Sequence, residues 1–164
     1  MSGVTDRFTP EGQAFMRALK ELGDTEVFIG FQRGEQHKKK KSSKSEKEPP
    51  DVLDIALWNE MGTSNGIPER PFIRQTFDNH AEDIAATQKA VVQRVMNGAT
   101  PQEAASVVGA KVKALMQREI AEGGFTANKP ETIKRKGSDV PLIDTGHMRQ
   151  SVQFIVRKKG SGGD

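Results

Sequence analysis

The chain has 164 residues, no cysteine and a formal net charge of +3, with 25 Lys and Arg against 22 Asp and Glu. The missing cysteine excludes a disulfide scaffold, Cys-ligated zinc, an iron–sulfur cluster and a thiol nucleophile, and at this length one domain is the default. Leu, Ile, Val and Phe make up only 35 of the 164 residues, so we expect a thin core. We also expect neither a membrane span nor a signal peptide, because the sequence lacks the apolar runs that they need.

The N-terminal part predicts a helix and then a strand. Thr9 is a suitable cap, Pro10 tolerates the first helical position, and the apolar stripe that follows ends at Gly23, which predicts an amphipathic helix of about 14 residues. Residues 26–31 are an apolar run rich in β-forming residues. We interpret this run as a buried strand.

A second, short helix is predicted for residues 52–61, with Gly62 as its C-terminal cap. Four residues are expected to share its apolar face: Leu53, Ala56, Leu57 and Met61. Residues 67–72 then predict stiff, extended chain, because each of the two prolines pushes its predecessor out of the helical region.

Two longer helices and a second strand complete the predicted elements. Helical spacing of apolar residues over 73–95 predicts one helix, and Thr100 with Glu103 three positions later forms a capping box that begins the next. That helix is expected to end at Gly123, before a mixture of short helical turns and loop. Residues 151–157 predict a half-buried strand. Two strands far apart in sequence, with helices between them, indicate an α+β fold in which several helices pack a small sheet.

The positive charge is concentrated in one segment. Residues 33–48 carry seven Lys or Arg against three Glu, a balance of +4 that leaves −1 for the rest of the chain. We interpret residues 32–50 as a long, flexible basic loop inserted in a single domain of residues 1–160, and residues 161–164 as a disordered tail. Three interpretations of the loop remain open: a solubilising segment, a contact with DNA phosphates, and a segment that orders on an acidic protein. Its candidate contact residues are Arg33, Lys38, Lys39, Lys40, Lys41, Lys44 and Lys47.

One triplet is shared with a class of enzymes. Asp144-Thr145-Gly146 matches the triplet of aspartic proteases, in which two carboxylates share one proton. A single copy requires a symmetric dimer. Residues 147–150 predict a polar helical turn rather than the strand that a protease barrel needs, so a structural turn is the favoured interpretation. The histidines lack ligand spacing and the glycines fit no phosphate-binding loop, so we predict no catalytic residue, cofactor or metal.

Three motifs in a fixed order carry a resemblance to a known family. The first is residues 58–63 (WNEMGT), the second is residues 67–74 (IPERPFIR), and the third is residues 132–151, with Lys136-Gly137, Pro141-Leu142, the Asp-Thr-Gly triplet, Arg149 and Ser151. Their order resembles the neck or tail-completion family of tailed bacteriophages, whose members are also called minor tail proteins. The resemblance covers about residues 25–157. Met61 replaces the usual aromatic residue, and the basic insertion is unusually long.

The resemblance implies a non-enzymatic virion protein that is assembled in the host cytoplasm and joins head to tail. It implies a homo-oligomeric ring, expected to be a hexamer, that lines the DNA passage. The implied partners are the neck adaptor or head-closure protein, the tail terminator or tail tube proteins, and the DNA itself. It also makes the Asp-Thr-Gly triplet a structural turn.

Residues 67–72, which include both prolines, supply most of the interface candidates. Arg70 can form a forked pair with a carboxylate, and Phe72 offers an apolar anchor on a pre-organised segment. The alternative, that the segment packs within its own chain, remains open. The candidates are Trp58, Ile67, Pro68, Arg70, Pro71, Phe72 and Arg149.

Overall fold

The computed structural model describes residues 8–36 and 49–161, which contain seven helices and one two-stranded sheet. The helices are α1 (Pro10–Gly23), α2 (Val52–Met61), α3 (Phe72–Asn79), α4 (Ala81–Met96), α5 (Pro101–Glu122), α6 (Pro130–Lys136) and α7 (His147–Gln150). The strands are β1 (Thr25–Gly30) and β2 (Gln153–Lys158). The predicted α+β class is confirmed.

Helix ends that depend on local chemistry lie where the sequence predicts them. The hydroxyl of Thr9 accepts a hydrogen bond from the backbone N–H of Gly12, and α1 runs to Gly23. The capping box of α5 is complete, because the N–H of Glu103 donates to the Thr100 hydroxyl (3.2 Å) and the N–H of Thr100 donates to the Glu103 carboxylate (2.9 Å). These contacts satisfy N–H groups that a helix start leaves without partners.

The prediction of one helix over residues 73–95 is wrong, because His80 interrupts it. His80 has φ −124° and ψ 20°, outside the helical region, and it separates α3 from α4. Its imidazole lies between two residues of α5, with Nε2 3.5 Å from a Glu119 carboxylate oxygen and 3.3 Å from Nη2 of Arg118. The helix therefore breaks where His80 contacts α5. The spacing of the apolar residues over 73–95 does not indicate this break.

The two strands pair antiparallel, from Thr25 opposite Lys158 to Gly30 opposite Gln153. One face of this sheet lies on α5, where Gly109 gives room for the ring of Phe154. None of the described residues covers the other face, and β1 is only half-buried, not buried as predicted.

The core forms two clusters along α5. The larger cluster joins α2, α3, α5 and the chain around α7 through Val52, Ala56, Phe72, Met116, Ile120, Leu142, Met148 and Val152. The smaller cluster joins α1, α4 and α5 through Val91, Val95 and Ala104, with Phe15, Ala18, Leu22 and Val108 packed against them. Helix α5 contributes to both clusters, so it connects the two parts of the interior.

Replacing Gly109 by alanine should destabilise the protein, although alanine is better than glycine in helices by about 1 kcal/mol. A Cβ at this position lies 2.7 Å from Cγ of Phe154, so β2 has to move away from α5. We expect the free energy of unfolding, measured by urea denaturation, to fall by about 1–3 kcal/mol.

Gly23→Ala is the matched control for this change. Gly23 is also helical, and a Cβ there meets nothing within 4 Å among the described residues. Its replacement should be neutral or stabilising, and equal losses in the two variants would contradict the role of Gly109.

Candidate assembly interface

Arg70, an interface candidate, is only 5% exposed and connects separate parts of the chain. Its guanidinium donates to the backbone carbonyl of Thr126 (2.9 Å), to Oδ1 of Asn59 (3.0 Å) and to Oδ1 of Asn128 (3.1 Å). Burial lowers the pKa of Arg70, but its ordinary pKa is so high that the group stays charged at neutral pH. These acceptors are neutral oxygens, so the expected pair with a carboxylate is wrong. Arg70 stabilises the protomer and is not part of its surface.

Glu60 holds the start of α3 from the neighbouring helix α2. Pro71, at the N-cap of α3, makes no side-chain cap. The carboxylate of Glu60 accepts instead from the N–H of Ile73 (2.8 Å) and from both the N–H (3.3 Å) and Nε (3.0 Å) of Arg74. Nη2 of Arg74 also donates to Glu69. Because Glu60 acts as the cap, α2 and α3 have a fixed relative position.

The turn between α2 and α3 requires glycine. Gly62 has φ +70°, and a Cβ there meets the N of Glu69 at 3.1 Å and the carbonyl O of Ile67 at 3.2 Å. The N–H of Thr63 donates to that same carbonyl (2.9 Å). The first two motifs of the family resemblance therefore build one rigid unit of helix, turn and helix.

Phe72 does not offer an apolar anchor to a partner. Its side chain is 0% exposed, and its ring meets the ring of Phe31 edge-on, with centroids 6.0 Å apart. The larger core cluster contains Phe72, which agrees with the open alternative that this segment packs within its own chain. Ile67, Pro68 and Pro71 are partly buried beside it.

Helix α2 turns its large apolar residues outward. The predicted apolar face is wrong for Leu57 and Met61, which are 44% and 72% exposed. The inward positions are occupied instead by Asn59 and Glu60, which bind Arg70 and the start of α3. Trp58, an interface candidate, is 42% exposed on the same side as Leu57.

We call this outward side the α2 outer face, and its residues are Asp54, Leu57, Trp58 and Met61. Their spacing of i, i+3, i+4 and i+7 places them along one side of the helix. Asp54 makes no hydrogen bond or ion pair within the described residues. The large apolar side chains of a helix normally face the core, whereas Leu57, Trp58 and Met61 are exposed.

A second surface with exposed apolar side chains lies on the sheet. Phe28 and Ile155 oppose each other across the strands and are 47% and 50% exposed. The guanidinium of Arg157 lies over the Phe28 ring, with Cζ 4.7 Å from its centroid. Nε of Arg157 is buried and has no hydrogen-bond partner in the described part of the chain. Glu26 lies opposite Arg157 on the same side of the sheet. We call Glu26, Phe28, Ile155 and Arg157 the sheet outer face.

The beginning of the basic segment is held by Glu35. One carboxylate oxygen of Glu35 accepts from the hydroxyl of Ser151 (2.7 Å) and lies 2.9 Å from Nε2 of His147, and its backbone carbonyl accepts from the N–H of Val52 (2.8 Å). The described ends of the predicted loop are therefore attached to α2 and α7. The Ser151 hydroxyl donates to Glu35 and not to the imidazole, so this trio is not arranged as a nucleophile with its base.

The candidate DNA contacts and the Asp-Thr-Gly triplet are located as follows. Arg33 is exposed, whereas Lys38, Lys39, Lys40, Lys41, Lys44 and Lys47 lie outside the described residues.

The triplet forms a turn in which Gly146 has φ +73° and immediately precedes α7, and the Thr145 hydroxyl accepts from the N–H of His147. Arg149, the last interface candidate, is exposed on α7.

Within the ranges that the structure covers, no group of three or more metal-ligating side chains could hold an ion. No described helix has both the length and the apolar character that crossing a bilayer requires. No family model matches the chain, and neither a curated protein nor a solved structure matches it. The relation to phage neck proteins therefore stays a prediction.

Arg70→Lys should lower the free energy of unfolding by about 2–4 kcal/mol, because one ammonium cannot reach all the acceptor oxygens on two separate segments and leaves buried acceptors unsatisfied. Thermal or urea denaturation measures the loss. Arg74→Lys is the matched control, since the Arg74 side chain is 57% exposed. Its effect should be much smaller, and similar losses in both variants would remove the special role of Arg70.

Acid should weaken the attachment of the basic segment through Asp51. Hydrogen bonds from the N–H groups of Gly34 and Leu53 lower the pKa of the Asp51 carboxyl below its ordinary value of 3.8. Its stabilising effect is therefore complete above the ordinary value and is lost as the pH falls through the lower pKa of the folded state.

Asp51→Asn should lower Tm at pH 7, and the difference from wild type should shrink as the pH falls below about 4. Asp78→Asn is the control, because Asp78 is exposed and receives no hydrogen bond within the described residues. A Tm difference for Asp51→Asn that stays constant from pH 7 to pH 3 would refute the assignment.

Proposed function

We propose that the protein is a structural component of a tailed-bacteriophage virion, a ring-forming tail-completion or head–tail joining protein that lines the DNA passage. In this role it contacts copies of itself, the neck adaptor or head-closure protein on one side, and the tail terminator or tail tube proteins on the other. The proposal starts from the ordered motifs of the sequence.

The α2 outer face is the observation that carries the proposal. Leu57, Trp58 and Met61 are adjacent, large and 42–72% exposed, and contiguous apolar residues of this kind mark interaction surfaces. Trp is also among the residues that contribute most to interfaces. Because Arg70 and Glu60 fix α2 from behind, the surface is rigid, and a rigid surface loses little entropy when it binds.

The rigid unit behind this surface agrees with the resemblance. Several motif residues make their contacts within the protomer. They are Asn59, Glu60 and Gly62 on one side of the turn, and Arg70 and Phe72 on the other. The motif residues therefore stabilise the protomer, and the partner is contacted by the residues of the α2 outer face.

Contact with DNA is a second proposal for the same particle. The segment 33–48 carries a balance of +4, and Arg33 is exposed where the segment begins. A ring places copies of this charge around the passage, where phosphates pass. Such contacts release counterions and weaken with salt.

The function is tested in the phage that encodes the protein. A stop codon in the gene should leave heads and tails unjoined in electron micrographs, and the protein supplied from a plasmid should restore infectious particles. Mass spectrometry of purified particles should find several copies per virion. Its absence from particles would overturn the proposal.

Met61→Lys tests the observation that carries the proposal. Met61 is 72% exposed, so this variant should fold with an unchanged Tm and yet restore few infectious particles. Met16→Lys on α1 is the matched control, because Met16 is also an exposed methionine (48%) and its replacement should restore infectivity. Equal restoration by both variants would show that the α2 outer face has no part in assembly.

A further inference from the structure

We propose that two copies of the chain join edge to edge through β1, so that the sheet of each copy becomes one half of a four-stranded antiparallel sheet. The occupant of the β1 edge is therefore a second copy of this chain. The contact is isologous and joins copies in pairs. It stands independently of the proposed function, because a head-to-tail ring has to close through other surfaces.

The outer edge of β1 carries backbone groups without partners. The N–H of Lys159 donates to the carbonyl of Asp24 (2.6 Å), and these two residues lie one position beyond the paired strands. Hydrogen-bonded pairs alternate along an antiparallel ladder, so the even-numbered residues of β1 direct their N–H and C=O groups at β2. Val27 and Ile29 direct theirs to the opposite side, where they have no hydrogen-bond partner among the described residues.

The corresponding edge of β2 is partly closed. The carbonyl of Val156 accepts from Nε2 of Gln102 (3.3 Å), and the carbonyl of Lys158 accepts from the N–H of Ser161 (3.1 Å). Strand β1 contains neither proline nor lysine, residues that commonly keep an edge strand from pairing. None of its six residues is buried. The edge that is open to a further strand is therefore that of β1.

The sequence of β1 matches itself when two strands run antiparallel about Phe28. In this register Phe28 of one copy lies opposite Phe28 of the other, and Val27 lies opposite Ile29. Aromatic and β-branched pairs of this kind stabilise antiparallel strands. Glu26, the only charged residue of the strand, lies opposite Gly30, so no like charges meet. The side chains therefore favour a second β1 as the partner strand.

The backbone of β1 agrees with this register. Val27 of one copy and Ile29 of the other both direct their free groups at the shared edge, so each such pair exchanges both of its N–H···O=C bonds. A register with Val27 opposite Val27 also satisfies the backbone, but it places Glu26 opposite Phe28 and separates the two aromatic rings. Pairing about Phe28 is therefore the favoured register.

Pairing also enlarges a sheet that is small on its own. Two strands alone are marginally stable in water, and further strands add support. The four-stranded sheet gives partners to the free groups of Val27 and Ile29. It also brings together two Phe28 rings that are 47% exposed in the single copy.

Disulfide trapping tests the register, because the chain contains no cysteine. Opposite residues of a non-hydrogen-bonded pair have Cα atoms about 4.5 Å apart, a distance that a disulfide spans. Phe28→Cys should therefore give a covalent dimer on a non-reducing gel after oxidation. The double variant Glu26→Cys/Gly30→Cys should also do so, whereas each of its single variants should stay monomeric. A Cβ at Gly30 meets nothing within 4 Å among the described residues.

Ile155→Cys is the matched control. Ile155 lies opposite Phe28 on the same face of the sheet and is similarly exposed (50%), but it belongs to β2, away from the shared edge. This variant should stay monomeric. Equal dimer formation by Ile155→Cys and Phe28→Cys would show that copies pack face to face, and no dimer from Phe28→Cys would show that the edges do not meet. Either result overturns the proposal, and thermal melts of the reduced variants verify that they are folded.

Lysine substitution gives an independent test in solution. Phe28→Lys removes the aromatic pair and places two ammonium groups side by side, so it should weaken self-association, measured by sedimentation equilibrium, by about tenfold or more. Ile155→Lys makes the same change one strand away and should alter the dissociation constant by less than about threefold. Equal losses in the two variants, or no self-association by wild type, would contradict the proposal.

Hydrogen exchange reports the backbone bonds themselves. The amide protons of Val27 and Ile29 should exchange rapidly in dilute wild-type protein and slowly at concentrations where it is dimeric. The amide proton of Phe28, which is bound to β2, should be protected at both concentrations. Rapid exchange of Val27 and Ile29 in the dimer would overturn the edge contact.

Discussion

The buried guanidinium of Arg70 is the constraint on which the arrangement of the helices depends. A buried cation is tolerated only when its donors have acceptors, and here the acceptors come from Asn59 on α2 and from the chain at Thr126 and Asn128. Helix α2 cannot rotate without breaking this set. Glu60, the next residue, adds the cap of α3 to the same fixed geometry.

This constraint gives α2 an unusual orientation. Its inward side carries Asn59 and Glu60 beside Val52 and Ala56, and its outward side carries three large apolar residues. For a protein that acts as a free monomer, the opposite distribution is more stable, because exposed apolar area gives no hydrophobic stabilisation. The orientation has a physical reason if assembly covers the outward side of α2.

The sequence predicts the parts of this structure that depend on neighbouring residues. The start of α1, the capping box of α5 and the pairing of two distant strands follow from local patterns. The break at His80 and the role of Glu35 depend on residues 38 to 116 positions away. The orientation of α2 depends on Arg70 and on the start of α3, which lie 11 to 14 positions from Asn59 and Glu60. No periodicity encodes such contacts. One signal was available, because Pro71 cannot cap α3 with its side chain and a cap from another element was therefore needed. Of the interface candidates, Trp58 is exposed. For Arg70 and Phe72 the sequence left open whether they contact a partner or pack within their own chain, and both serve the interior.

The way in which the basic segment is attached makes the fold of the body largely independent of the length and sequence of that segment. The segment leaves and rejoins the body at neighbouring points, since Gln36 pairs with Asp51 and the carbonyl of Glu35 binds the N–H of Val52. The entropy of closing a loop rises only slowly with its length. The body therefore tolerates large differences in the length and sequence of whatever is inserted between these points, which makes this junction the natural position for an epitope tag or a fluorescent label in an assembled particle.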